Sequence, residues 1–204
     1  MQLSPHFTRA DLERSDFAHR NGIVNSIPDD QIETWRAGLI MILEPIAERF
    51  PDLWISSGFR CEDLNRKIGG SRNSQHQGLF WMGWHRPPKY IPCTAFDLEL
   101  PRGSGGNGKL WEQIARTNLP FDQLIWEFGD NHEPAWIHIS HVPNNMNRRE
   151  ALRTKRIRDN LGKTKVQYQS IALAPTNSKR LADTISDTPD FVPGQTYAGG
   201  SSRA

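Results

Sequence analysis

The sequence predicts an α+β fold, a small antiparallel sheet with flanking helices. Three observations carry that prediction. Short apolar or alternating runs at 53–56, 93–100, 123–128 and 135–140 have strand length, and glycine or proline stands at their ends. Helical spacing marks 29–50, and shorter helical stretches fall at 62–68 and 109–117. The last two strands are separated by a short polar turn at 129–134, which reads as a hairpin. The order is therefore helices, strand, helix, strand, helix, hairpin, which is an α+β arrangement.

Each element has a local reason. Thr8-Arg9-Ala10-Asp11 is a helix start, with a hydroxyl at the N-cap and an acid in the first turn. Leu12 and Phe17 would face inward. In the longest helix, 29–50, Ile32, Trp35, Leu39, Leu43 and Ile46 form one apolar stripe. Pro28 precedes it at a permitted position, and Pro45 is expected to kink its end. The strand 53–56 runs into Ser57-Gly58, and Gly69-Gly70 stops the helix 62–68. Residues 71–92 read as irregular, and 101–108 as a glycine-rich loop. The helix 109–117 turns Leu110, Trp111 and Ile114 inward. Past about residue 158 the periodicity fades, and 170–204 is rich in Ser, Thr, Pro, Gly and Asp. That composition reads as a flexible tail or an arm that folds on a partner.

At 204 residues the chain can bury one core and carry a tail. The expected division is a domain at 1–153 and a basic, then flexible, C-terminal tail at 154–204. No run of about 18 apolar residues exists, so no membrane span is expected. The first residues show no basic-then-apolar signal pattern, so synthesis in the cytoplasm is expected, and action elsewhere requires host lysis or carriage in a virion. Cys61 and Cys93 are too few for a disulfide framework, lack CxxC spacing, and read as small buried hydrophobes. The net charge of +2 is uneven. Residues 148–165 hold eight basic and two acidic side chains, so they carry +6; 166–204 balance, and the first 147 carry −4.

The chemistry concentrates in oddly placed polar residues. His138 lies in Trp136-Ile137-His138-Ile139-Ser140, where residues two apart share a face. Asp97 lies in Ala95-Phe96-Asp97-Leu98-Glu99, a carboxylate inside an apolar strand. A charge buried there must pair or bind a metal. His76 follows Asn73-Ser74-Gln75 in a loop. Two imidazoles and one carboxylate make a three-ligand zinc set with a fourth position left for water; the plain alternative is a group of hydrogen-bonded polar residues.

Several motifs then fall in order: Ser57-Gly58-Phe59-Arg60, Leu64-Asn65, Gly69-Gly70-Ser71-Arg72-Asn73-Ser74-Gln75-His76, Phe121-Asp122-Gln123-Leu124-Ile125-Trp126-Glu127-Phe128 and Trp136-Ile137-His138-Ile139-Ser140. Leu3-Ser4-Pro5-His6-Phe7-Thr8 opens the series and Asn147-Arg148-Arg149-Glu150 closes it. From about residue 3 to 153 the chain resembles M15 peptidases of the D-Ala-D-Ala carboxypeptidase type, nearest to their phage and bacterial branch. The resemblance implies the fold of the hedgehog domain and the vancomycin-resistance dipeptidases, with Zn2+ held by His76, Asp97 and His138. It also implies an acidic general base. In the dipeptidases that acid lies just before the last histidine, where this chain has Ala135. The hedgehog-like arrangement puts it at the end of the preceding strand, which matches Glu127; Glu133, in the turn, is the competitor. Arg60 is the matching cleft arginine, placed to stabilise an oxyanion or to fork onto a substrate carboxylate, the alternative being a structural salt bridge. Ser74 and Gln75 would bind the substrate backbone, although Ser74 equally suits a turn hydroxyl. The implied function is zinc-dependent hydrolysis of peptide bonds in peptidoglycan stem peptides or cross-links, by a phage- or bacterium-encoded wall-degrading enzyme such as an endolysin. The rival reading is a virion or assembly protein that keeps the fold for docking.

Two features depart from the family pattern. His76 and Asp97 stand 21 positions apart, where the family keeps about seven. The insertion, 79–94, carries Phe80, Trp81, Trp84, His85 and Tyr90. Anchored at two ligands, it belongs at the cleft rim, as a wall that grips substrate or sugar, a hairpin packed on the body, or a docking surface. His85 is a rival ligand, disfavoured by the motif around His76. The basic segment 148–165 would suit an anionic wall polymer, nucleic acid or an acidic virion neighbour, or would be a solvated charged helix without a partner. No aromatic interleaving supports sequence-specific nucleic-acid binding.

Overall fold

The computed structural model describes residues 1–83, 89–101, 106–158, 160 and 162–173. The arm expected at 170–204 therefore lies outside the described residues beyond 173, as does His85.

The first half of the described chain is mostly helical. Helix α1 (Arg9–Glu13) starts with a capping box: Thr8 Oγ1 accepts from the Asp11 amide, and the Asp11 carboxylate accepts from the Thr8 amide at 2.7 Å. Helix α2 (Asp16–Arg20) follows, with Ser15 as its cap. It buries Ala18, while Phe17 stays half-buried, because the helix is only five residues long. The long expected helix is a composite. A 3-10 turn (Asp29–Gln31) leads into α3 (Ile32–Gly38), a π turn (Leu39–Leu43) and α4 (Glu44–Ala47). Pro45 has no N–H to give the preceding turn, and the helix widens just before it rather than breaking.

The sheet has six strands: β1 (Trp54–Ser57), β4 (Thr94–Glu99), β5 (Gln123–Glu127), β6 (Trp136–His141), β7 (Glu150–Arg158) and β8 (Thr164–Ser170), in the order β1-β4-β6-β5-β7-β8. The pairs are antiparallel except β5–β7, which is parallel. The expected α+β architecture is present, with the sheet mixed at that one pair. The basic segment is not a helix: it supplies β7 and the start of β8, and the expected division after residue 153 falls inside β7. Helices α5 (Glu62–Lys67) and α6 (Gly106–Ala115) complete the body. The insertion forms a separate hairpin, β2 (Leu79–Met82) with β3 (Lys89–Pro92), whose Phe80 and Met82 pack on Cys93 and Val142.

One face of the sheet is the core face. Phe96, Leu98, Leu124, Trp126, Ile137, Ile139 and Ala151 point to it and join Trp35, Leu39 and Leu43 from the composite helix. Trp35 is fully buried and meets Phe59 and Phe96 edge-on at 5.8 and 5.7 Å. Each such pair adds about 0.5–1.5 kcal/mol beyond its buried area. Alternate residues therefore turn to the opposite face. That second face is the floor of a cleft.

Candidate metal centre and cleft

Two strands and one turn bring the predicted ligands together. Asp97 sits directly opposite His138 in the β4–β6 register. His76 comes from the 3-10 turn Gln75–Gln77, which the Ser57-Gly58-Phe59-Arg60 segment latches in place: the Arg60 amide donates to the His76 carbonyl at 2.9 Å. Gly58 is needed at this crossing, because a Cβ there would lie 2.7 Å from the Leu12 carbonyl oxygen.

The donor atoms form a nearly equilateral triangle. His76 Nε2 is 3.2 Å from Asp97 Oδ1 and 3.1 Å from His138 Nδ1, and His138 Nδ1 is 3.1 Å from Asp97 Oδ1. All three side chains are buried. His76 Nδ1 donates to the Gly58 carbonyl at 2.6 Å, which leaves the lone pair of Nε2 facing the triangle. Burial pulls His76 down to about 4 despite the opposing pull of Asp97, so the ring is neutral at pH 7. Burial alone would raise Asp97, but His76, His138 and Arg60 together hold its carboxyl well below the usual range. A neutral imidazole nitrogen and a carboxylate oxygen, both acceptors, thus converge with a second imidazole. At most one ring proton could serve both acceptors, whereas a cation satisfies all three donor atoms. The residues fit a metal ion.

The remaining predicted residues take different positions. Arg60 lines the cleft, but its Nη2 is bonded to Asp97 Oδ2 and its Nε donates to Ser57 Oγ at 2.8 Å. The guanidinium thus orients the ligand carboxylate, as in the salt-bridge alternative. A β-bulge between Ile55 and Ser57 sets Ser57 opposite Asp97 for this purpose. Ser74 lines the cleft and makes no capping bond. Gln75 is buried at the cleft base, and its Nε2 donates to Asp122 Oδ2 at 3.0 Å.

Glu127 ends β5 on the cleft face, next to the triangle. Its Oε2 accepts from Thr154 Oγ1 at 2.7 Å. Desolvation raises its pKa above the ordinary carboxylate value and outweighs that hydrogen bond. Glu133 is elsewhere: its carboxylate caps α6, accepting from the amides of Asn107 and of Gly108, the latter at 3.1 Å. Anions favour that end of a helix, so Glu133 has a structural task away from the cleft floor.

Sequence reasoning missed three parts of this site. Asp122 is fully buried and acts as a hub, accepting from Gln75, from the Arg148 amide at 3.0 Å, and from Arg148 Nε and Nη2 at 2.9 and 2.6 Å. Thr154 steadies Glu127 from β7 and is itself fully buried. Val166, Tyr168 and Ser170 of β8 form the far wall of a cleft of about 810 Å³. Their alternation with Lys165, Gln167 and Gln169 was the available signal. Phe128, also on the cleft, has φ +52°. A bulky side chain in that region costs about 1–3 kcal/mol and marks a place where geometry is imposed.

A sheet face that carries a buried His-Asp-His triangle beside a half-buried carboxylate, on the floor of an open cleft, defines a candidate single-metal hydrolase. The Peptidase M15 family model matches residues 5–140, and the chain belongs to that family. The family makes it a peptidase. No curated protein matches the chain significantly. Among the described residues, no helix is long and apolar enough to cross a membrane.

Proposed function

We propose that the protein is a zinc-dependent peptidase that cuts stem peptides or cross-links of peptidoglycan, with Glu127 as general base. The observation that carries this reading is the pairing of Glu127 with the ligand triangle. A carboxylate with its affinity for protons raised by burial stands beside a buried two-imidazole, one-carboxylate donor set.

His76, Asp97 and His138 would hold the zinc, and a zinc ion there supplies Lewis acidity and lowers the pKa of a nearby water toward about 7. Asp97 keeps one oxygen toward the triangle because Arg60 engages the other. Glu127 takes the proton from the attacking water and returns it to the leaving amine. Thr154 keeps one Glu127 oxygen in place while the other remains available. Ser74, on the loop opposite, offers a hydroxyl to the substrate backbone. Phage or bacterial origin, action after release or within a virion, and attraction of the basic β7–β8 hairpin to anionic wall polymer belong to the same proposal.

The test is release of free amino groups from purified peptidoglycan by zinc-loaded wild type, Glu127→Gln and chelator-treated protein. Release by wild type alone supports the reading, and mass spectrometry of the fragments names the bond. Wild type that binds one zinc per chain and releases nothing sinks it. A docking role then takes precedence, and the exposed cross-strand pair Trp81 and Tyr90 on the insertion hairpin becomes the surface to examine.

A further inference from the structure

One end of the cleft has no part in the mechanism above, and much of it lies beyond the residues that match the family. There Phe128, Trp136, Val166 and Tyr168 line the wall. The Phe128 amide donates to Thr154 Oγ1 at 2.8 Å, and its ring meets Trp136 edge-on at 5.4 Å. The guanidinium of Arg156 lies over the Phe128 ring at 4.0 Å. Arg156 is the register partner of Val166 and shares the face of Leu152 and Thr154, which is the cleft face.

The arginines that line this face of the sheet or lie beside the cleft wall differ in what they hold. Arg60 is committed to Asp97 and Ser57. Arg148 forks onto Asp122 and also reaches Glu150 at 3.3 Å. Among the described residues, no carboxylate or carbonyl takes a hydrogen bond from Arg156. Stacking covers one face of a guanidinium and leaves its in-plane donors open, in a fork that matches a carboxylate. The hairpin around it is basic: Lys155 and Arg158 flank Arg156 on β7.

We infer that this end of the cleft is a subsite for a carboxylate of the substrate, with Arg156 as its anchor and the Phe128 ring as the platform that aims it. The inference rests on the peptidase reading and names what the substrate must carry. Arg156 on β7 lies two strand spacings of about 4.8 Å from β6 and four residues, at about 3.3 Å each, along from Leu152, which is level with Ile125 and His138. Those legs of about 10 and 13 Å combine to roughly 16 Å between the two backbones, or about five residues of extended peptide. The anchored carboxylate therefore belongs to a residue remote from the scissile bond, and the substrate is a peptide of several residues rather than a dipeptide.

The test is equilibrium binding to zinc-loaded Glu127→Gln protein, which separates binding from turnover. The probe is a synthetic stem-type pentapeptide with one side-chain carboxylate and a free C-terminus, compared with versions amidated at one carboxylate or the other. One of the two amidations is expected to weaken binding about tenfold, and which one does so identifies the carboxylate. Adding Arg156→Ala removes that difference while sparing the amidated peptide, and Arg156→Lys keeps part of it. If Arg156→Ala weakens all peptides equally or none of them, or if no peptide binds, the subsite is wrong. Turnover of the same peptides by wild type judges the peptidase reading separately. Carboxylate-selective binding without cleavage would keep the subsite and remove the peptidase; cleavage indifferent to Arg156 would do the reverse.

Discussion

Replacing Asp122 by Ala should damage both stability and the metal centre, although Asp122 touches no ligand. Its carboxylate is fully buried and receives four donors: Gln75 Nε2 and the Arg148 amide at 3.0 Å, and Arg148 Nε and Nη2 at 2.9 and 2.6 Å. Alanine leaves the Gln75 amide and the Arg148 backbone N–H without partners. A buried donor stranded in this way costs about 1–3 kcal/mol. The Arg148 side chain is nearly half exposed and can turn to water, so its share is under about 1 kcal/mol. The sum is about 2–7 kcal/mol, or a fall in Tm of roughly 4–28 °C for a domain of this size. Gln75 immediately precedes His76, so the ligand turn loosens as well, and zinc affinity should drop about tenfold, as for other supporting groups of metal sites. Urea unfolding of the zinc-free protein measures the first effect, and competition with a chromophoric chelator measures the second. Asp122→Asn is the control: the Gln75 amide can turn to meet it, so more than half of the stability should return. A loss below about 1 kcal/mol in the alanine variant, with zinc affinity unchanged, would refute the hub.

Three further outcomes follow from the same structure. Burial lowers His141 to about 4, against the opposing pull of Asp122, so the fold favours its neutral form. The stability this contributes is complete above pH 6.5 and is lost as the pH falls from 6.5 toward 4, about 3 kcal/mol in all; urea titrations across that window should be flatter for His141→Gln. Thr154→Val removes a hydrogen bond that lowers the Glu127 pKa, so the acid limb of the kcat/KM profile should move to higher pH; an unmoved limb would deny Thr154 that role. Gly38→Ala would set a Cβ 2.3 Å from Thr94 Oγ1 where α3 crosses β4, costing about 1–3 kcal/mol in thermal unfolding, and Thr94→Ala in the same chain should recover part of it.

The parts of the fold legible in the sequence were those with a local signature. The capping box at Thr8, the apolar stripe through Trp35 and Leu39, and the alternation around His138 each state their geometry within a few residues. The ligand triangle was legible for a related reason: Asp97 and His138 are polar residues on strands whose neighbours are buried and apolar. What escaped depends on distant partners. Glu133 caps a helix that begins 27 positions earlier, and nothing near it announces that task. Strand β8 is exposed along its whole length, so it lacks the apolar run that marks β4 or β6; its alternation is the one local signal, and its place in the sheet comes from pairing with β7. The parallel pairing of β5 with β7 spans the intervening strand β6 and likewise leaves no local trace. The bond from the Gln75 amide to Asp122 likewise joins residues that are neighbours only in the folded chain.

The candidate metal centre owes its geometry less to His76, Asp97 and His138 than to the residues behind them. Asp97 faces His138 because Phe96 faces Ile139 and Leu98 faces Ile137, and those four side chains are fully buried in the core under the sheet. A slip of one residue between β4 and β6 would exchange the two faces, placing Asp97 among the helices and Phe96 in the cleft. The cost of burying that charge and exposing that ring forbids the slip. The same alternation places Glu127 on the cleft face and Trp126 on the core face, and Thr154 opposite Tyr168. The placement of the candidate site residues is thus a consequence of core packing read out every second residue. Mild core substitutions on β4 or β6, which leave every ligand in place, should therefore weaken metal binding before they unfold the chain.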